Sequence, residues 1–188
     1  MANPVWNEIE TTLRHIHGLK HNAVDPRRRG ASTDDVVARK LAEIKSGVVG
    51  DPRRDEFTGP ELFLRVAGPQ NAAYGGEWWF NAELLDRLDR AYSRIYFERR
   101  ERDGAIRNML REGLAISNDF RNAISEVWAL ELPAGSKLVG YKGRGAPQNL
   151  HFSLLLSAHG NRRLVGGVEQ IYFPVKNPFW VAQYRNLL

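Results

Sequence analysis

Apolar residues recur every three to four positions over residues 4–22, at Val5, Ile9, Leu13 and Ile16 with Trp6 beside them, and predict a helix. Asp25-Pro26 and the run Arg27-Arg28-Arg29-Gly30 break that period and predict an exposed loop. Ser32-Thr33-Asp34-Asp35 then supplies capping residues ahead of Val36, Val37, Leu41 and Ile44, a second amphipathic helix ending at Ser46-Gly47. Residues 49–60, with Gly50, two prolines and many charges, have the composition of a linker. Residues 61–66 alternate, with Leu62, Leu64 and Val66 on one face and Phe63 and Arg65 on the other, as in a short strand. The strongest helical stripe covers residues 81–102, through Leu84, Leu85, Leu88, Ala91, Tyr92, Ile95 and Tyr96. A shorter helix is predicted over 105–116. Strands are predicted over 124–132, 137–141 and 168–175, with the glycine-rich stretch 140–148 as a loop. Residues 151–156 fit either a strand or a helix.

Helices, a strand, helices and then several strands imply an α+β fold rather than a doubly wound parallel sheet. The division expected is a helical N-terminal extension, 1–56, and a main domain, 57–188. The 188 residues suffice for one core without disulfides, and zero cysteines exclude a thiol nucleophile or a cysteine-ligated metal. No apolar run reaches the ~18 residues of a membrane span, and the first residues lack the layout of an export signal, so no membrane partner is expected.

Charge is unevenly spread. Residues 1–131 hold 20 Lys/Arg and 21 Asp/Glu, whereas 132–188 hold seven basic residues and the single acid Glu169. A positive last third suits nucleic acid, a dinucleotide phosphate or an acidic protein; a merely basic, solvated surface is the alternative.

Three features stand out chemically. Arg65 lies within an apolar strand, where a guanidinium is costly unless it meets an anion, or unless the strand is a solvated edge. Trp78-Trp79-Phe80 cannot all face one core; at least one is expected to be exposed or to line a cleft, unless two are core and the third covers a helix end. Gly166-Gly167 precedes Glu169 and Gln170, and the glycines would let a ligand or another strand approach the backbone. Weaker signals are the helical pair His17 and His21, and His151 and His159, which would serve a metal-independent ribonuclease as acid and base with Arg144, Arg162 or Arg163 on the phosphate. Arg27–Arg29 and the cluster at 98–102 read as solvated surface.

Taken in order, Leu62-Phe63-Leu64-Arg65-Val66, then Tyr74-Gly75-Gly76-Glu77-Trp78-Trp79-Phe80, then Gly166 through Phe173 resemble the ADP-ribosyltransferase domains of bacterial polymorphic toxins. The block 137–148 is also similar to a segment that precedes the last strand in several such domains. The resemblance covers about residues 57–175. It implies a split β-sheet core and NAD as substrate, with no metal. Arg65 would grip the phosphates or the nicotinamide-side ribose, while Tyr74, Trp78, Trp79 and Phe80 would border the nicotinamide pocket. Gln170 or Glu169 would take the late catalytic position, where a carboxylate stabilises the positive charge that develops on the ribose. Two departures bear on this. Trp78-Trp79-Phe80 replaces the family's serine–threonine–serine motif, and the usual acidic or Gln/Glu pair two residues apart is missing.

The resemblance further implies delivery by another module into the cytoplasm of a target cell, a cognate immunity protein, and RNA or an acidic protein as acceptor. Simple hydrolysis of NAD is the alternative within the same fold. A nucleic-acid-binding module, with Trp78 and Trp79 stacking on bases, is the non-enzymatic alternative. Strand alternation leaves two arrangements. If both faces of the strand line one cleft, Glu169 pairs through NAD to Arg65; if the sheet core takes Ile171 and Phe173, Gln170 faces the cleft beside Tyr172. The resemblance to Gly-Gly-x-x-Gln strands favours Gln170 as the catalytic residue, with Glu169 expected to matter mainly for stability.

Overall fold

The computed structural model describes residues 3–21, 32–67, 77–114, 124–150 and 162–187. Two helices open the chain, α1 (Pro4–His21) and α2 (Thr33–Gly47). The Ser32 hydroxyl accepts from the Asp35 backbone N–H while the Asp35 carboxylate accepts from the Ser32 backbone, so the expected capping residues start α2. Then follow β1 (Val48–Thr58), β2 (Glu61–Ala67), β3 (Trp78–Asn81), α3 (Ala82–Tyr92) and α4 (Arg99–Gly113). The last part holds β4 (Glu126–Leu132), β5 (Lys137–Gly145), β6 (Gln148–Leu150), β7 (Arg162–Leu164), β8 (Glu169–Tyr172) and β9 (Val181–Asn186). The class is α+β. Seven strands form one antiparallel sheet in the order β1-β5-β8-β3-β2-β4-β9, and β6 and β7 pair separately.

That sheet is folded over on itself. Four strand spacings separate β1 from β2, about 19 Å if the sheet were flat. Yet the Phe57 ring of β1 meets the Phe63 ring of β2 edge-on at 4.9 Å, and both meet Phe173, at 5.4 and 5.0 Å. These rings, with Trp79, Leu130, Leu132, Leu138 and Ile171, fill the inner core. Two further cores lie on the outer face. Under α1 and α2, Ile9, Leu13, Val37 and Ile44 pack on Tyr141 and Tyr172. Under α3 and α4, Leu85, Ile106 and Leu110 pack on Leu64, Phe80, Val127 and Ala129.

Four expectations need correction. Residues 49–60 are not a linker. They form most of β1, paired with β5 from Val48↔Gly145 to Thr58↔Lys137 with one irregularity between Val49 and Arg53. Its outward charges, which made it look like a linker, pair with neighbours: Arg54 with Glu8 at 2.8 Å, Glu56 with Lys137 at 2.7 Å and Asp55 with Lys142 at 2.9 Å. A boundary at residue 56 therefore falls inside a strand. Nor is 140–148 a loop, since β5 runs on to Gly145 between β1 and β8. Its glycines stand where a Cβ would lie 2.5 Å from Phe173, 2.8 Å from Val48 and 2.4 Å from Gln170, at Gly140, Gly143 and Gly145 respectively. They are there for close packing between elements, not for a turn.

The long helix over 81–102 is instead two helices with a turn between them. The cause is Arg185 of β9, whose guanidinium bonds Asp89 of α3 with one nitrogen and Asp103 of α4 with the other. Fourteen residues along one straight helix would hold those carboxylates about 21 Å apart. Arg102 and Arg99 add partners at 3.9 and 3.5 Å, to Asp89 and Asp103. Finally, β7 and β9 carry no strand pattern in the sequence; β9 pairs with β4 along the sheet edge.

The basic excess of the last third is thereby reduced at three positions. Lys137, Lys142 and Arg185 each meet acids from the first 131 residues.

Two outcomes follow from this packing. Asp103 is 1% exposed and Arg185 keeps only 16% of its side-chain exposure, so Asp103→Ala leaves a nearly buried cation with Asp89 as its remaining carboxylate. It should lose about 1–3 kcal/mol of unfolding free energy in urea. Burial first, and then the Glu8 carboxylate, push the Tyr141 phenol up to about 12. A raised folded pKa means that this stabilising contribution is complete below the unfolded value near 10 and disappears as pH rises through about 12. Absorbance titration should show that Tyr141→Phe removes a component from the high-pH end of the tyrosine curve and none near pH 10.

Candidate active site

The three sequence features converge. Strands β2, β3 and β8, which carry Arg65, the aromatic trio and the Glu169-Gln170 pair, are neighbours at the centre of the sheet. β2 is joined to β3 only at Phe63↔Asn81 and Leu64↔Phe80, so the two strands part at Arg65. β2 is an interior strand, which overturns the solvated-edge alternative for this arginine. Arg65 is half-buried opposite Trp128 of β4. Burial pushes its guanidinium below the ordinary value, and the nearby Glu77 carboxylate partly offsets this.

In the sequence Glu77 is one acid among loop residues and carries no distinguishing pattern. In the structure it is a junction. Lys40 of α2 approaches its carboxylate at 3.5 Å, and its backbone carbonyl accepts from the Phe173 N–H at 2.8 Å. Burial of Lys40 would lower its pKa, but Glu77 and Glu43 outweigh that and raise it. Burial foremost, then Glu77, raises the Tyr172 phenol, which therefore stays protonated. The only sequence signal for this role was its position immediately before the aromatic trio.

The aromatic residues divide three ways. Trp78 packs on Tyr172 with ring centroids 5.2 Å apart and covers the C-terminal end of α2, its ring 3.3 Å from where a Cβ on Gly47 would stand. Trp79 is buried in the inner core with Lys176 over its ring at 6.0 Å, and its indole N–H has no acceptor among the described residues. Phe80 is buried under α3 and α4. Two are core and one covers a helix end, so Trp78, half-buried, is the ring of the three left with an open side.

The Gly166-Gly167 turn, with φ of +70° and +88°, is stitched to its surroundings. Gly166 N–H donates to Glu112 O, Gly167 N–H to Gly145 O and Val168 N–H to Gly113 O, at 2.9 to 3.1 Å. A Cβ on Gly166 would lie 2.5 Å from the Gly145 carbonyl. The close approach is that of another strand, β5.

The burial expected of the following pair is reversed. Gln170 is 9% exposed, and its Nε2 donates to the Leu114 carbonyl at the end of α4, 2.9 Å away. Glu169 is exposed, directly across from Arg144 of β5, and makes no ion pair among the described residues. Register explains the swap: Ile171 and Phe173 fill the inner core, and Glu169, on their face, lies past the end of that core. By alternation Glu169 and Arg65 share the inner face. β3 lies between their two strands.

Tyr74, His151 and His159 lie outside the described residues, as do the side chains of His21, Arg162 and Arg163. His17 is buried on the packed face of α1. Among the described residues no group of three His, Asp or Glu is placed to hold a metal, and no helix is long and apolar enough to cross a membrane.

No protein-family model matches the chain, and neither does any curated protein. Among solved structures, that of Tse6 in complex with Tsi6 aligns with 98% of this chain and 99% of its own at 9% identity and a TM-score of 0.41, too low for the likeness to bear on activity.

The environments of the pair predict their stabilities. Gln170→Ala removes a buried amide and orphans the Leu114 carbonyl, so it should cost about 1–3 kcal/mol in urea unfolding. Glu169→Ala should remain within about 0.5 kcal/mol of the parent.

Proposed function

We propose that this chain is an NAD-using toxin domain of the ADP-ribosyltransferase type, transferring ADP-ribose to a macromolecular acceptor. The observation that carries the reading is the juxtaposition of β2, β3 and β8, with β2 leaving β3 at a half-buried arginine. A partly desolvated guanidinium at a strand parting suits a pyrophosphate, which it can hold through two parallel hydrogen bonds. Trp78, on the opposite face of the sheet over α2, stays outside this pocket. Glu169, exposed on the face of Arg65, is the carboxylate that would lie beside the ribose.

In the reaction the C1′–N bond breaks with its electron pair leaving on the nicotinamide nitrogen. Positive charge grows on C1′ and its ring oxygen, and the Glu169 carboxylate stabilises it. An acceptor hydroxyl or amine then forms the new bond to C1′ and loses its proton to solvent. Water in that place gives hydrolysis instead. Gln170, expected from sequence to be catalytic, is reassigned as a positioning residue that ties β8 to the end of α4 and so sets the direction of Glu169. The toxin part of the reading rests on the motif resemblance, which also implies a cognate immunity protein, delivery by another module and action in the cytoplasm of a target cell.

NAD labelled separately in nicotinamide and in adenine tests this. Free nicotinamide should appear, with the adenine label on macromolecules if transfer occurs, or as free ADP-ribose if water is the acceptor. Glu169→Gln should cut turnover about 10²–10³-fold at unchanged melting temperature, and Arg65→Lys should raise KM about tenfold or more. No nicotinamide release by the parent protein would overturn the reading; full activity in Glu169→Gln would remove that residue from the mechanism.

A further inference from the structure

The turn between α3 and α4 and the first half of α4 carry a surface that the NAD site does not use. Phe97, in the turn, is 94% exposed, and Ile95 beside it is 63% exposed. An aromatic ring left so fully in water has no role in the three cores. Arg94 precedes it, and a cleft of about 720 Å³ follows, lined by Glu98, Arg99, Arg100, Arg107 and Leu187. Arg100 and Arg107 lie seven residues apart, so both fall on one stripe of α4 about 10.5 Å apart along the axis. Arg111 continues the same stripe one turn further on.

The arginines here fall into two sets. Arg102 and Arg185 are consumed by the Asp89–Asp103 network, and Arg99, though largely exposed, touches Asp103 at 3.5 Å. Arg100 and Arg107, by contrast, have no ion pair among the described residues. Burial, and then Arg107 itself, lower Arg111 from its ordinary value. Like charges therefore crowd each other along this stripe, with Glu98 as the carboxylate on the cleft wall. Midway between Arg100 and Arg107 stands Gly104, a costly residue for a helix interior. The Arg107 guanidinium lies 4.0 Å from where a Cβ on Gly104 would be.

We infer that this face binds single-stranded nucleic acid, with a base stacked on Phe97 and phosphates held by Arg100 and Arg107. The pairing of a fully exposed ring with guanidinium forks spaced along a groove is the combination such strands require. An acidic polypeptide would use the charges but has no need of the ring. The surface goes beyond the NAD reading and binds without NAD. Under that reading it would bring a polynucleotide to the enzyme as acceptor.

Anisotropy of fluorescein-labelled oligouridine, oligothymidine and a DNA duplex, with the full chain and no NAD, tests it between 50 and 200 mM salt. Both single strands should bind more tightly than the duplex, and the tighter of the two identifies the natural source. With two or three phosphates held, log affinity should fall against log salt with a slope of about −1.4 to −2. Phe97→Ala should weaken binding at least about fivefold. Arg100→Glu with Arg107→Glu should weaken it more than about tenfold and flatten the slope by about 1.4. Arg39→Glu, at an exposed arginine of α2, should leave it unchanged. Phe97, Arg100 and Arg39 are exposed and Arg107 is half-buried, and an unchanged melting temperature in each variant checks that folding is intact. No binding at 50 mM salt, equal binding by the Phe97 and Arg100/Arg107 variants, or preferential displacement by polyglutamate would each overturn the assignment. Binding without any release of nicotinamide from NAD would leave this face standing and the NAD reading fallen.

Discussion

Three consecutive aromatic side chains, Trp78, Trp79 and Phe80, hold the rest of this molecule in place. A strand sends successive residues to opposite faces, so Trp79 enters the inner core while its neighbours enter the outer ones. Trp78 and Phe80 share a face, yet they serve different helix pairs because α2 ends over one and α3 begins just past the other. The folded sheet has little choice once this is set. Trp79 must meet Phe63, Phe173 and Ile171 from strands on both sides, and only a sheet bent back on itself brings Phe57 into the same cluster. The same strand borders the parting beside Arg65. Packing and the candidate site therefore share one element.

Charge plays a second, more local part in the architecture. The Arg185 guanidinium gathers one carboxylate from each of α3 and α4, so the edge strand β9 fixes the angle between two helices far from it in sequence. A nearly buried arginine with two carboxylates is a costly arrangement to desolvate and a specific one once made. It also explains why the turn between these helices can present Phe97 to water: its ends are held by ions rather than by its own apolar contacts.

The candidate site depends on an asymmetry between adjacent residues. Glu169 and Gln170 differ by one position and point to opposite faces of β8, one past the rim of the inner core and the other against the end of α4. The glycine turn ahead of them, bonded to Glu112, Gly113 and Gly145, sets where β8 begins and hence which residue is left at the rim. Glu77, Lys40 and Tyr172 then tie the far end of the same parting to α2. Of these groups, Glu77 is the charge that acts on the half-buried Arg65.

Local pattern alone determined the two N-terminal helices, the cap at Ser32, the strand bearing Arg65 and the α+β class, because periodicity and capping act within a few residues. It also marked Arg65, the aromatic trio and the Glu169-Gln170 strand as unusual. What it left open were matters of partnership. β1 reads as a linker because its charges look solvated until Glu8, Lys137 and Lys142 are placed beside them. β5 reads as a loop because its glycines are explained only by the side chains of Phe173, Val48 and Gln170 that fill the space. The helix break at 93–98 answers to Arg185, some ninety residues away. The burial of Gln170 and exposure of Glu169 depend on which face of β8 the inner core takes, and on how far along the strand that core extends. A sequence pattern reports what a residue prefers; only the folded sheet, by bringing distant charges and side chains within bonding distance, decided which of those preferences were met.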